Sequence, residues 1–158
     1  MKIVTTCFLL VAAGLGGTSC ASFHLRTATG FVELEDQDDY DLRATSAEGV
    51  VVSVRKMPNR PRGSLAFWTG AVDERLQREG YAPVSLRAVR TESGLAGRQI
   101  RYERVRSGVT YHYWVTVFVT EGGFLSRSRV FLVEAGGDQF TFPQAERDVE
   151  RTIRSFRA

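Results

Sequence analysis

The feature that most constrains the fold of this 158-residue sequence is the segment Thr110–Thr120, which carries large apolar side chains at both odd and even positions. Successive side chains of a β-strand point to opposite faces of the sheet. The odd positions here hold tyrosine and valine, and the even positions include Trp114 and Phe118. A strand with one solvated face alternates more cleanly. The pattern therefore predicts a strand inside a sheet that is covered on both faces.

The neighbouring segments predict an antiparallel sheet of about six strands. Ser107-Gly108 and Gly122-Gly123 are typical two-residue hairpin turns. With those turns, Tyr102 faces Tyr113 on one side of the central strand, and Trp114 faces Phe131 on the other. The five other predicted strands are Tyr40–Thr45, Val50–Lys56, Val84–Thr91, Arg98–Arg106 and Phe124–Ala135.

Two amphipathic segments predict the helices that cover the sheet. Ser64 is a favourable N-cap for a helix over Leu65–Glu79, and Gly80 ends it. A second helix is predicted from Pro143 to about Phe156, since proline suits the first helical turn. One helix on each face gives an α+β fold, a three-layer α/β/α sandwich around the antiparallel sheet.

This order of elements resembles the Mog1/PsbP-like fold, most closely in bacterial lipoproteins and small secreted domains of that group. The resemblance covers nearly all of residues 40–157. It implies binding to other proteins and says little about activity. It is carried by the hairpin Tyr40–Val54, the helix end Leu76–Tyr81, and the segments Gly97–Tyr102, Tyr111–Trp114 and Ile153–Arg157.

The N-terminus has the pattern of an export signal. Lys2 precedes an apolar run, Ile3–Leu15, that is too short to span a bilayer, and small residues follow it. The segment Gly17–Cys20 resembles the lipobox of bacterial lipoproteins, in which the cysteine is acylated, for example with palmitate. We therefore expect a signal peptide over residues 1–19, an acylated Cys20 with a tether and acidic segment over 20–39, and a globular domain over 40–158.

Ordinary secretion with cleavage after Ala21 is the alternative. Cys7 lies in the leader, so Cys20 is the last thiol left in an exported chain and has no intramolecular partner. Acylation gives that cysteine a use. Because Ala21 is not the aspartate that retains such lipoproteins at the inner membrane, we expect a lipid-anchored protein of the cell envelope, at the outer membrane.

The charge pattern does not favour nucleic-acid binding. The net charge is +3, and nineteen of the 21 basic residues are arginine, a bias that a GC-rich genome produces by itself. Six acids and no base lie in Glu33–Asp41. These carboxylates lack the glycine and terminal glutamate of an EF-hand, and we interpret the segment as a solvated loop, with calcium as the alternative.

No motif predicts catalysis, a metal site or a cofactor. The two mature histidines are His24, in the expected tether, and His112, which shares a strand face with Trp114 and could contact Glu103. A basic, aromatic surface on that face is the candidate binding site. In the alternative, its arginines cover the sheet and pair with Glu146 or Glu150. The candidate surface comprises Arg101, His112, Trp114, Arg127, Arg129 and Phe131.

These observations predict a membrane-tethered, non-catalytic accessory module that binds another protein in the cell envelope. A small-molecule or lipid-binding lipoprotein, with a pocket between sheet and helix, is the alternative. An enzyme centred on His112 comes third, since no orienting carboxylate is evident from the sequence.

Overall fold

The computed structural model describes residues 23–35, 39–122 and 127–158, which form a seven-stranded antiparallel sheet and two helices. The strand order across the sheet is β1-β2-β3-β7-β6-β5-β4. The predicted α+β class is confirmed. The sheet has one strand more than expected, because β1 pairs with β2. The elements are β1 (Phe31–Glu33), β2 (Leu42–Ser46), β3 (Val51–Pro58), α1 (Leu65–Arg78), β4 (Ala82–Arg90), β5 (Ala96–Arg106), β6 (Val109–Thr120), β7 (Arg129–Asp138) and α2 (Phe142–Arg154).

The helices begin where the sequence places them, to within a residue. The Ser64 hydroxyl accepts a hydrogen bond from the Phe67 N–H at 3.2 Å, which satisfies one of the free donors of the first turn of α1. Gly80 follows the end of α1 with a φ of 88°, a conformation that only glycine adopts without strain. Pro143 lies in the first turn of α2, where its missing N–H costs no hydrogen bond.

Each helix packs on a different set of strand side chains. On α1, Leu65, Trp68, Val72 and Leu76 contact a buried cluster that includes Val115 and Val117 of β6. On α2, Phe142, Val149 and Ile153 belong to a second cluster with Trp114 and Phe118 of the same strand. Side chains at alternate positions of β6 thus belong to different clusters, which explains why that strand is apolar on both faces.

The register between β6 and β7 differs from the predicted one. Thr120 pairs with Arg129, so Trp114 faces Ala135 and Phe131 faces Phe118. The connection is longer than the predicted Gly122-Gly123 turn, which moves β7 by four residues along β6. An even shift leaves every side chain on its predicted face. The prediction for the first hairpin is confirmed, since Tyr102 pairs with Tyr113.

Residues 23–30, expected to form a polar tether, pack against the C-terminus of the chain. The His24 N–H donates to the Arg157 carbonyl at 2.8 Å, and the Arg157 N–H donates back at 2.9 Å. The Phe23 ring lies 6.0 Å from the Phe156 ring, and Leu25 is buried. These apolar side chains cover the end of α2, so the N-terminal segment is a structural part of the domain.

The predicted anchor residue, Cys20, lies outside the described residues, as do residues 36–38 of the acidic segment Glu33–Asp41. Among residues 23–35, 39–122 and 127–158, neither helix has both the length and the apolar character needed to cross a membrane.

Candidate functional site

The face of the sheet that carries α1 holds a cavity of about 600 Å³ beyond the end of that helix. The helix ends at Arg78, so it leaves uncovered the part of the face where β6 begins and β7 ends. Four of the five tyrosines of the chain line this cavity, which we call the tyrosine pocket. They are Tyr40, Tyr81, Tyr111 and Tyr113.

A buried carboxylate lies in the lining of the tyrosine pocket. Glu134, on β7, is only 5% exposed. Its strand neighbours are Ser53 on β3 and Val115 on β6. Both the Tyr113 hydroxyl and the Ser53 hydroxyl donate hydrogen bonds to the carboxylate. Such donors offset part of the free-energy cost of removing a charged group from water.

Burial dominates the ionisation of this carboxylate. It raises the pKa of Glu134 above the ordinary value of a glutamate, although Arg55 and the Tyr113 and Ser53 hydroxyls oppose the shift. Burial also raises the pKa of Tyr113, and the negative charge of Glu134 adds to that effect. The tyrosine therefore stays a protonated donor at physiological pH.

Arg55 is the cation nearest to the carboxylate, and it is only partly engaged. Its Nε lies 3.3 Å from Glu134 Oε1, yet this buried nitrogen makes no hydrogen bond with the part of the chain that the structure describes. The guanidinium lies 4.3 Å from the centre of the Tyr40 ring and donates to the Tyr40 hydroxyl at 2.8 Å. One face of Arg55 thus packs on an aromatic ring while its side chain remains 37% exposed.

Charged groups of both signs surround the rest of the tyrosine pocket. Arg104 lies over the Tyr81 ring at 4.9 Å. Opposite charge comes from Glu48 and Asp138. Backbone N–H groups of Thr141 and Phe140 donate to Asp138 and hold the pKa of its carboxyl below the ordinary value, so this side chain is ionised. The lining can therefore present hydrogen-bond donors, acceptors and aromatic faces to one bound molecule.

Three residues of the predicted surface meet on the opposite face of the sheet. Arg101 is 9% exposed, lies 3.5 Å from the centre of the Trp114 ring, and donates to Glu146 Oε1 at 2.8 Å and Glu150 Oε1 at 2.6 Å. Its Nε donates to the Gln99 side chain at 2.9 Å. We call this group the arginine clamp. It corresponds to the alternative in which arginine covers the sheet and pairs with α2.

His112 lies beside the arginine clamp and stacks on a core aromatic residue. Its ring centre is 5.6 Å from that of Phe142. The Nδ1 atom lies 3.7 Å from Glu103 Oε1, so the contact expected from the sequence exists but is longer than a hydrogen bond. A cavity of about 260 Å³ lies between these side chains and the start of α2.

The other three residues of the predicted surface lie elsewhere. Phe131 is buried between Phe118 and the end of α2, where its ring contacts Phe156. Arg127 and Arg129 lie at the far end of the strands, around a different cavity. The shifted register between β6 and β7 separates them from Trp114, so the six predicted residues do not form one surface.

The sequence did not lead us to predict the tyrosine pocket, because we took histidine and tryptophan residues as the indication of a binding site. Two signals were available. Glu134 is an ionisable residue inside the apolar run VFLVEA, and in the strand VVSVRK the polar Ser53 and Arg55 occupy alternate positions. Charged residues are seldom buried without a partner or a function. The correct register was also needed to place Glu134 near Tyr113.

The described residues contain no cluster of three or more histidine, cysteine, aspartate or glutamate side chains that could hold a metal ion. The fold and the pocket together define a small α+β domain with an open cavity on one face of its sheet.

Solved structures of other proteins are similar to this fold. One is LpqN from Mycobacterium tuberculosis, a protein involved in cell envelope biogenesis, with a TM-score of 0.68, 9% sequence identity, and coverage of 85% of this chain and 81% of that one. Another is PA94 from Pseudomonas aeruginosa, a protein of unknown function, with a TM-score of 0.54, 11% identity and the same two coverages. At these identities the likeness is one of fold.

No family model matches the chain, and no curated protein sequence matches it.

Proposed function

We propose that this protein is a non-catalytic accessory module of the cell envelope that binds a small ligand in the tyrosine pocket. The observation that carries the proposal is a cavity of about 600 Å³ with a buried carboxylate in its lining. Ligand sites are concave, have volumes of roughly 300–1,000 Å³, and combine aromatic walls with a few fixed polar groups. The ligand would present hydroxyl or amino donors to Glu134 and ring or apolar surface to the tyrosines.

The setting in the envelope belongs to the same proposal. An export signal over residues 1–19, an acylated Cys20 and residence at the outer membrane follow from the sequence pattern. The fold shared with LpqN, which acts in cell envelope biogenesis, supports an envelope role. We also propose the three-layer sandwich and the Mog1/PsbP-like relationship, supported by the packing of α1 and α2 on alternate side chains of β6. Nucleic acid is not a proposed partner.

A pocket-filling variant tests the ligand proposal. A Cβ added at Gly136 would lie 3.4 Å from Tyr113 Cδ2, so Gly136→Leu fills the cavity without replacing a polar group of its lining. The matched control is Gly70→Leu on α1, where an added Cβ has no heavy atom within 4 Å.

Each protein is equilibrated with a small-molecule extract of its own cell envelope, separated from free compounds, and analysed by mass spectrometry. We expect the wild type and Gly70→Leu to retain the same compound and Gly136→Leu to lose it. Retention of nothing by the wild type, or equal retention by Gly136→Leu, would remove the basis of the proposal.

A protein partner is the second candidate function, favoured by strand β4. This strand forms one edge of the sheet, and two of its apolar side chains, Val84 and Leu86, are 60% and 56% exposed. Exposed apolar side chains on an unpaired edge are typical of protein interfaces. This candidate is tested by affinity purification of the intact protein and of the double variant Val84→Ser/Leu86→Ser. A stoichiometric partner that the variant loses would support it.

A further inference from the structure

Four arginines surround one cavity at the end of the sheet opposite the tyrosine pocket. The cavity has a volume of about 330 Å³. Among the described residues its lining contains no acidic side chain, and none of the four guanidinium groups forms a hydrogen bond or an ion pair with residues 23–35, 39–122 or 127–158. We call this group the arginine end. It consists of Arg60, Arg62, Arg127 and Arg129.

A buried amide fixes the two halves of the arginine end next to each other. Asn59 is 7% exposed, and its Nδ2 donates to the Ser128 hydroxyl at 2.9 Å and to the Gly63 carbonyl at 3.1 Å. Its Oδ1 accepts from the Gly63 N–H at 2.8 Å and from Trp68 Nε1 at 2.7 Å. The loop that carries Arg60 and Arg62 is therefore held against the segment that carries Arg127 and Arg129. Like charges repel, so this clustering has a free-energy cost that an anion would remove.

The N-terminal segment reaches the fold at this same end. The ring of Phe23 lies 6.0 Å from that of Phe131, and Arg129 is two residues from Phe131 on β7 and on the same face. Cys20 precedes Phe23 by three residues, a span of about 10 Å when extended. The apolar run Ile3–Leu15 precedes it further. The described part of the chain thus begins, at Phe23, close to the arginine end.

We propose that the arginine end is a docking surface for the phosphate groups of anionic membrane lipids, and that it turns this end of the domain toward the bilayer. Arginine guanidinium groups bind phosphate oxygens through paired hydrogen bonds. Of the carboxylates at this end of the sheet, Glu92 pairs with Arg26 at 2.6 Å, and Glu121 is exposed and does not line the cavity. The proposal is independent of ligand binding in the tyrosine pocket.

Partition between two kinds of vesicle tests the docking surface. The full chain with Cys20→Ser is mixed with phosphatidylcholine vesicles, or with vesicles that also contain about 20% of the anionic lipid phosphatidylglycerol. The ratio of the two partition coefficients is measured by sedimentation at low and at physiological salt. The substitution removes any acyl chain, and the apolar N-terminal residues contribute equally to both vesicle types. The charge of Lys2 is the same in every variant, so a difference in the ratio between variants reports the substituted arginines.

We expect a preference for the anionic vesicles that decreases with salt. Removing two of the arginines, in Arg60→Gln/Arg62→Gln, is expected to lower the ratio about 30-fold, since each basic residue near an anionic surface contributes roughly five-fold. Arg127→Gln/Arg129→Gln tests the other half. The matched control is Arg147→Gln/Arg151→Gln on the exposed side of α2, which makes the same change in net charge and should leave the ratio within about two-fold.

Three results would overturn the proposal. One is an equal decrease in the control, which would mean that total charge and not this surface determines binding. Another is binding of inorganic phosphate, measured by calorimetry, without any preference for anionic vesicles, which would indicate a site for free phosphate. The third is tighter binding to a short DNA duplex than to anionic vesicles. Thermal unfolding of each variant confirms that it is folded before its ratio is interpreted.

Discussion

The two faces of the sheet each bury one charged side chain, and the two charges are satisfied very differently. On the α2 face, Arg101 contacts two carboxylates, an amide and the Trp114 ring. On the α1 face, Glu134 lies beside a cavity and depends on two hydroxyl groups and the partly engaged Arg55. A fully paired buried charge holds elements of the fold together. A buried charge left beside an open cavity is the better indication of a binding site.

The largest expected effect comes from breaking the arginine clamp. Arg101→Met keeps much of the volume but leaves Glu146 and Glu150 without their partner and removes the cation from Trp114. We expect the free energy of unfolding to fall by about 2–3 kcal/mol, measured by urea denaturation at pH 7. The two glutamates are 41% and 44% exposed, so water limits the loss.

Arg101→Lys is the matched control, and it should recover part of that loss because it keeps the charge without the planar fork. Ligand retention by the tyrosine pocket should be the same in both variants, since the clamp lies on the other face. A loss of less than about 0.5 kcal/mol in Arg101→Met would show that the clamp adds little beyond surface pairing.

The next effect concerns pH and the buried carboxylate. Because burial raises the pKa of Glu134 in the folded chain, the unfolded chain ionises first as pH rises. Stability contributed by the protonated form is therefore present at low pH and is lost as pH rises from the ordinary pKa of glutamate to the raised one. Each pH unit in that window lowers the free energy of unfolding by about 1.4 kcal/mol.

Glu134→Gln removes this titration. The unfolding free energy of the variant minus that of the wild type should increase with pH across the window and then stay constant. Denaturation at a series of pH values measures this difference. A difference that stays flat with pH for Glu134→Gln would contradict the raised pKa.

The smallest expected effect comes from an exposed ion pair, and it gives a reference value for the two buried charges. Arg151 pairs with Asp148 at 2.8 Å on the exposed side of α2, where the two side chains are 69% and 45% exposed. Arg151→Ala should change the free energy of unfolding by only about 0.3–0.5 kcal/mol, because water screens exposed pairs. A change as large as that of Arg101→Met would mean that α2 is sensitive to the loss of any arginine. It would contradict the special role given to Arg101 as a buried, fully paired charge.

Local sequence patterns predicted the helices and strands of this fold better than they predicted the register in which the strands pair. The Ser64 cap and Gly80 predicted the limits of α1 nearly to the residue. The predicted turn between β6 and β7 was wrong. Two glycines favour a short hairpin, but the tertiary packing of Phe118 and Phe131 sets the register. Sequence patterns contain no direct measure of that packing.

The site was harder to predict than the fold for the same reason. His112 and Trp114 lie near Arg101, and their side chains pack around the start of α2. Glu134, Tyr113 and Arg55 come from three strands whose neighbours depend on register and strand order. Their proximity follows from β3 lying beside β7, and no local spacing in the sequence encodes that arrangement.

The start of the N-terminal segment, at Phe23, and the tyrosine pocket lie toward opposite ends of the strands, and this affects how a ligand reaches the pocket. Strand β7 carries Arg129 at one end and Asp138, a pocket residue, at the other, about 30 Å apart along its ten residues. A domain held to a bilayer beside Arg129 would open its pocket toward the aqueous space. Its ligand would then arrive from solution or from a second protein, and a lipid still embedded in the same leaflet would be out of reach.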